Sequence, residues 1–92
     1  MRVYVVSYDL RKPGKDYKGL SDELQRSPGW WHYLDSTWLI LTSESADQLY
    51  NRLRVNLDGN DSILIVQAGT DVQGWLPEEA HKWIQQHLLS QR

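Results

Sequence analysis

The stretch Arg2 to Leu10, RVYVVSYDL, constrains this chain more than any other. Val3, Val5 and Ser7 alternate with Tyr4, Val6 and Tyr8, and both sets are largely apolar. That pattern predicts a strand covered on both faces, central in its sheet. The run ends abruptly in one acid, Asp9, followed at once by the basic loop Arg11-Lys12-Pro13-Gly14-Lys15. A carboxylate at a strand end beside lysine and arginine places a metal-ligand type next to phosphate-anchor types, and this is the first candidate site.

The rest of the chain supplies what such a strand needs. Pro13-Gly14 signals a turn, and Asp16 is placed to cap a helix running to about Arg26, with Tyr17, Leu20 and Leu24 on one face. Ser27-Pro28-Gly29 stops it. Trp30 to Thr42, WWHYLDSTWLILT, is aromatic and β-branched, and Asp35-Ser36 is the natural place for a turn between two strands. Ser45-Ala46-Asp47-Gln48 fits a capping box, and Ala46, Leu49, Leu53 and Leu57 then recur at helical spacing. Asp58-Gly59 predicts a helix end closed by a left-handed glycine. Ser62 to Gln67 is a short apolar run of strand length, and Gly69 and Gly74 bracket a turn or a further short strand. Pro77-Glu78-Glu79 opens a last helix with Ala80, Trp83, Ile84, His87 and Leu88 on one face.

The order strand, helix, strand, strand, helix, strand predicts an α+β fold, a ferredoxin-like βαββαβ sandwich with an antiparallel sheet and an extra C-terminal helix. A chain of 92 residues is one domain, residues 1–67 forming the core and 68–92 the extension. It buries only about two-thirds of its unfolded surface. The last strand then lies at an edge while apolar on both sides, so the last helix or a partner subunit is expected to cover the free face, and a two-fold homodimer is the commonest solution.

Composition limits the chemistry. With no cysteine there is no disulfide framework and no thiolate metal site, which favours a reducing compartment. No charged-then-apolar leader opens the chain, and its apolar runs are far shorter than the ~20 residues of a membrane span. A cytoplasmic protein without membrane contact is the expectation. The net charge of −2 hides an asymmetry: Arg2, Arg11, Lys12, Lys15, Lys18 and Arg26 stand in the first part of the chain. Arg11, Lys12 and Lys15 are thus candidate nucleic-acid contacts giving sequence-independent, salt-sensitive binding; the competing reading is a loop merely kept solvated.

VYVVSYDL, the helix after it, the hairpin-like LDSTWLIL and the late strand DSILIV resemble the small CRISPR-associated adaptation endonucleases of the Cas-two family and their VapD-like toxin relatives. The likeness spans roughly residues 1 to 67 and is carried by the order of elements and by Tyr8-Asp9. It implies a homodimer in which Asp9, as catalytic and metal-binding residue, holds magnesium with its symmetry mate for cleavage of RNA or DNA. Two features depart from the family: Trp30, Trp31, His32 and Tyr33 replace the usual arginine and glutamine before Asp35-Ser36, and a tryptophan-bearing helix ends the chain. Both are closer to a divergent branch similar to small bacterial proteins labelled SinR-like.

Magnesium takes oxygen ligands and keeps several waters, so one carboxylate from each of two subunits is chemically adequate. Ser7 falls on the same side as Asp9 by alternation. His32 and Asp35 form a second polar pair, expected on opposite faces unless a bulge intervenes. Trp30, Trp31, Tyr33 and Trp38 are expected in core and interface packing rather than base stacking. His81 and His87, six apart on a helix, lack metal-pair spacing. No phosphate-cradling glycine loop, nucleophile elbow or zinc pattern is present, so no small-molecule cofactor is expected. The alternative to a nuclease is a non-catalytic homodimeric module that binds nucleic acid or protein.

Overall fold

The computed structural model describes residues 1–89. Its elements follow the expected order: β1 (Arg2–Asp9), α1 (Lys18–Gln25), β2 (Gly29–His32), β3 (Thr37–Thr42), α2 (Ala46–Leu53), β4 (Ser62–Gln67) and α3 (Glu78–His87). The four strands form one sheet in the order β2-β3-β1-β4, with every neighbouring pair antiparallel. This is a ferredoxin-like α+β sandwich with an added C-terminal helix, and β1 is central as its two apolar faces require. Residues 68–77 carry no helix or strand, so Gly69 and Gly74 flank no additional strand. The last three residues of the expected 68–92 extension lie outside the described residues. Among the described residues no helix is long and apolar enough to cross a membrane.

The alternation in β1 sorts its side chains cleanly. Tyr4 and Val6 turn to the helices and join Leu20 and Leu24 of α1, Trp38 and Ile40 of β3, and Leu49 and Leu53 of α2 in one buried cluster. Tyr8, Ile63 and Ile65 pack at its margin. The opposite set, Val3, Val5, Ser7 and Asp9, faces away from α1 and α2. At one end of that face Val3 and Leu41 are buried, as are Ala80 and Ile84 of α3. Since α1 and α2 lie on the other side, the burial of Ala80 and Ile84 together with Val3 and Leu41 makes α3 the described helix available to cover this end of the face. The β4 side of the face stays open: Leu64 is 64% and Val66 50% exposed.

Local signals set most boundaries. Ser45 Oγ accepts from the Gln48 amide at 3.2 Å and the Gln48 side chain accepts from the Ser45 amide at 2.9 Å, completing the capping box. Asp16 does serve α1, accepting from the Lys18 amide at 2.9 Å, although the helix itself begins only at Lys18. Gly29 lies against Leu41, whose Cβ would be 3.0 Å from a Cβ placed there, so a side chain would require Leu41 to give way by a few tenths of an ångström. The second helix is shorter than its periodicity predicts. It stops at Leu53, tightens into a 3-10 turn over Arg54–Asn56, and leaves Leu57 extended. Gly59 does not close it in a left-handed conformation; among the described residues that conformation belongs to Gly14, at φ 75°. The cause is tertiary: residues 56–61 are pulled into contacts with the loop after β1.

Candidate functional site

Three acids gather where β1 ends and β4 begins, and they do different things. Asp9, the last residue of β1, is paired with Ser62 in the sheet register. Its carboxylate is 70% exposed and meets the Arg11 guanidinium at 3.2 Å. Asp58 lies 3.2 Å from Lys12 Nζ and accepts from the Asn60 amide. Asp61 is a hub. It accepts from the Arg11 amide at 2.7 Å, the Asp58 amide at 2.7 Å and the Tyr17 hydroxyl at 2.7 Å.

These bonds clasp the loop 10–17 to the segment 56–61, and they engage the basic loop from within. Lys15 Nζ donates to the Asn56 carbonyl at 3.2 Å and stands 4.7 Å from the centre of the Tyr17 ring. Of the three basic residues Arg11 alone meets Asp9, while Lys12 pairs with Asp58 and Lys15 with the Asn56 carbonyl, so each already has a partner within the chain. Tyr17, Asp58 and Asp61 were not legible as site residues. The composition of Asp58-Gly59-Asn60-Asp61 marks a turn, while its reach to Tyr17, 44 positions away, has no local signature.

The clasp leaves an electrostatic trace. Burial pushes the Asp61 carboxyl up, but the Arg11 and Asp58 amides and the Tyr17 hydroxyl outweigh it and hold the group below the usual carboxylate range. Lys12, followed by the Asn60 amide, lowers Asp58. Burial, with donation to Asp61, raises Tyr17. A carboxyl depressed on folding contributes stability that is present above its unfolded value, about pH 4, and lost as pH falls through the folded value. Asp61→Asn is accordingly expected to reduce the steepness of acid unfolding below about pH 4 and to speed hydrogen exchange at the Arg11 and Asp58 amides. An unchanged acid limb together with unchanged exchange would mean that the clasp contributes nothing.

Asp9 differs because its ion pair with Arg11 is exposed. Such pairs contribute about 0–1 kcal/mol, so the carboxylate can exchange its partner at small cost. Ser7 lies on the same face as Asp9, as alternation required, but its hydroxyl is 3.3 Å from Thr37 Oγ1. A shallow open cleft at the strand ends is lined by Ser7, Asp9, Ser36, Ser62 and Leu64. Among the described residues no group of three or more His, Cys, Asp or Glu side chains is placed to hold a metal ion. Asp9 supplies one carboxylate oxygen donor at this rim, of the type that magnesium takes together with waters and phosphate oxygens.

The other polar pair does not assemble as a dyad. His32 Nε2 lies 3.1 Å from the Asp35 main-chain carbonyl, and its ring stacks on Trp38 at 3.9 Å and 8°. Trp38 is the aromatic that packs as expected, fully buried with Nε1 donating to Tyr8 Oη at 2.9 Å. Trp30 and Tyr33 are exposed, and the indole nitrogen of half-buried Trp31 is covered without a hydrogen-bond acceptor among the described residues. Trp30, His32 and Trp38 all lie on the helix side of the sheet. The other face carries half-buried Trp31 with Val5, Leu39, Leu64 and Val66, and among the described residues it shows no row of fully exposed aromatics of the kind on which sheet-type RNA binders stack bases. On α3 the rings of Trp83 and His87 are 4.7 Å apart, and His81 is exposed. Compared with family models, with curated proteins and with solved structures, the chain matches none.

Proposed function

We propose that this protein is a homodimer of the CRISPR-associated Cas-two type that cleaves nucleic-acid phosphodiesters with a divalent metal, magnesium by its oxygen ligands, held between Asp9 of the two chains. The observation that carries the reading is the contrast among the three acids. Asp61 and Asp58 are tied into the clasp, whereas Asp9 sits exposed at the rim of the open sheet face with one weak partner. Joining two such faces about a two-fold axis is the arrangement that gives Asp9 a second carboxylate. A metal held there would supply an activated water and a Lewis acid for the phosphoryl oxygen. The chain's own part is to hold Asp9 at the end of a rigid central strand. Opening of the Arg11 pair frees the guanidinium for a phosphate oxygen, and Lys12 and Lys15 can follow it if their internal bonds exchange.

Rigorously purified protein is expected to cleave single-stranded RNA or double-stranded DNA in magnesium, to stop when the metal is chelated, and to lose about a hundredfold or more in rate on Asp9→Asn. Cleavage undiminished by that substitution would sink the reading. Because the Asp9 pair is exposed, the variant should retain its melting temperature, which separates lost chemistry from lost folding.

A second reading, a non-catalytic homodimeric binding module, is favoured by one specific observation: Arg11, Lys12 and Lys15 are each engaged inside the chain, which lowers the local positive field available to a phosphate backbone. Under it the purified protein cleaves neither substrate, and Asp9→Asn alters dimerisation alone.

A further inference from the structure

The outer edge of β4 is an open template. The Ala68 amide donates to the Val3 carbonyl at 2.8 Å, and the β1–β4 register pairs Val66 with Val5 and Leu64 with Ser7. Main-chain groups of an antiparallel strand alternate sides, so the even-numbered residues of β4 direct their N–H and C=O groups at β1. Ile63, Ile65 and Gln67 direct theirs outward. Among the described residues no main-chain hydrogen bond closes that edge. Edge strands are ordinarily blunted by lysine, proline, a bulge or an inward charge. Ser62-Ile63-Leu64-Ile65-Val66-Gln67 has no charge and no proline, and its register with β1 runs unbroken.

We propose that this edge pairs with β4 of a second copy, antiparallel about a two-fold axis perpendicular to the sheet. Self-pairing brings like residues together, which a charged strand would resist and this uncharged one permits. Two requirements limit the register to shifts of two residues: residues facing each other must share a sheet side, and outward groups must meet outward groups. Setting Ile65 against Ile65 of the partner subunit satisfies both. It lets Ile63 exchange hydrogen bonds with Gln67 of the partner subunit. It also places Leu64 opposite Val66 of the partner subunit as a close non-hydrogen-bonded pair, covering the two most exposed apolar side chains of the strand. A shift of two residues one way sets Val66 against Ser62 and Gln67 against Asp61, and the other way sets Leu64 against Ala68, so each leaves one of the two exposed side chains facing a smaller residue.

This contact goes beyond the nuclease reading and is separate from it. By strand spacing it holds the two Asp9 residues about 25 Å apart, so it creates no shared site. Its axis is perpendicular to the sheet, whereas an axis joining two open faces lies parallel to it. The two contacts can therefore coexist in one closed assembly.

Amide hydrogen exchange of the full chain, resolved by residue across a dilution series, tests the proposal. The Ile63, Ile65 and Gln67 amides should be protected at high concentration and lose protection on dilution, while those of Leu64 and Val66 stay protected throughout. Gln67→Pro removes an outward donor and leaves the β1 ladder intact; Leu64→Lys places a charge against the partner strand. Each should weaken association by roughly tenfold or more, with the far-ultraviolet circular dichroism of the wild type. Outward amides that exchange freely at every concentration would overturn the proposal. So would protection independent of dilution, which would mean that the same chain covers the edge, or a folded Gln67→Pro variant of unchanged association. Cleavage by Asp9→Asn protein reports on the metal reading alone, so the two can fail separately.

Discussion

Trp38→Ala is expected to remove about 3–5 kcal/mol of stability, most of what a domain of this size holds in reserve when native stabilities run about 5–15 kcal/mol. Trp38 is the largest fully buried side chain and lies centrally in the sheet on β3, beside Ile40 and across from Val6. It also carries the His32 stack and a tilted contact with Trp30, ring centres 5.4 Å apart. Its removal thus leaves a cavity in the main cluster and unseats the edge strand β2 at once. Trp38→Phe is the milder change: it keeps one aromatic ring in the cluster and loses the rest of the indole together with the Nε1 donor to Tyr8. Urea unfolding followed by circular dichroism should show a large fall in midpoint for alanine and a smaller one for phenylalanine. A loss below about 1.5 kcal/mol for Trp38→Ala would be outside the range for a filled core position.

Arg52→Ala should have the second-largest effect, about 2–4 kcal/mol, although the residue is remote from Asp9. Its guanidinium makes a two-pronged contact with Glu44, at 3.1 and 2.9 Å. It also reaches the Glu23 carbonyl at 2.6 Å, the Glu23 carboxylate at 3.2 Å and Ser27 Oγ at 2.9 Å. In this way α2 is fastened to the end of α1 and to the turn after β3. The turn is held in addition by Tyr4 Oη, which donates to the Glu44 carbonyl at 2.8 Å. Removing the cation strands two carboxylates and a carbonyl in a partly covered place. The Arg52 guanidinium holds the Glu44 carboxyl below its usual value, against burial, and Thr42 adds to the lowering. This depressed carboxyl gives stability that is present above about pH 4.5 and lost as pH falls through the folded value. The alanine variant should therefore lose stability at neutral pH and show a shallower decline on acidification. Equal losses at pH 7 and at low pH would contradict a role for the ion pair. A double-mutant cycle with Glu44→Gln measures the coupling itself.

The fold was legible because its signals are local and repeated. The double apolar alternation of Val3 to Tyr8 marks a central strand, Asp35-Ser36 falls in the turn between β2 and β3, and Ser45 with Gln48 caps α2. Where the expectation missed, a distant contact intervened. Leu57 continues the helical spacing of Leu49 and Leu53 but is drawn out of the helix, because Asn56 and Asp58 are held by Lys15 and Lys12. The candidate site was legible in the same partial way. Asp9 stands at the strand end as its position demanded, and Ser7 shares its face. His32 and Asp35 come close only through the Asp35 carbonyl, because stacking on Trp38 fixes the ring.

The sequence by itself determined the order of elements, the central place of β1 and the side of the sheet on which Asp9 stands, since each follows from periodicity and from neighbours in the chain. Tertiary structure alone decided the availability of the charges around Asp9. Asp61 joins residues from two loops into the clasp, Arg11, Lys12 and Lys15 find partners there, and Asp9 remains exposed. Hydrogen bonds and ion pairs depend on separations of a few ångströms in space, and no pattern along the chain encodes which distant groups will meet at that range.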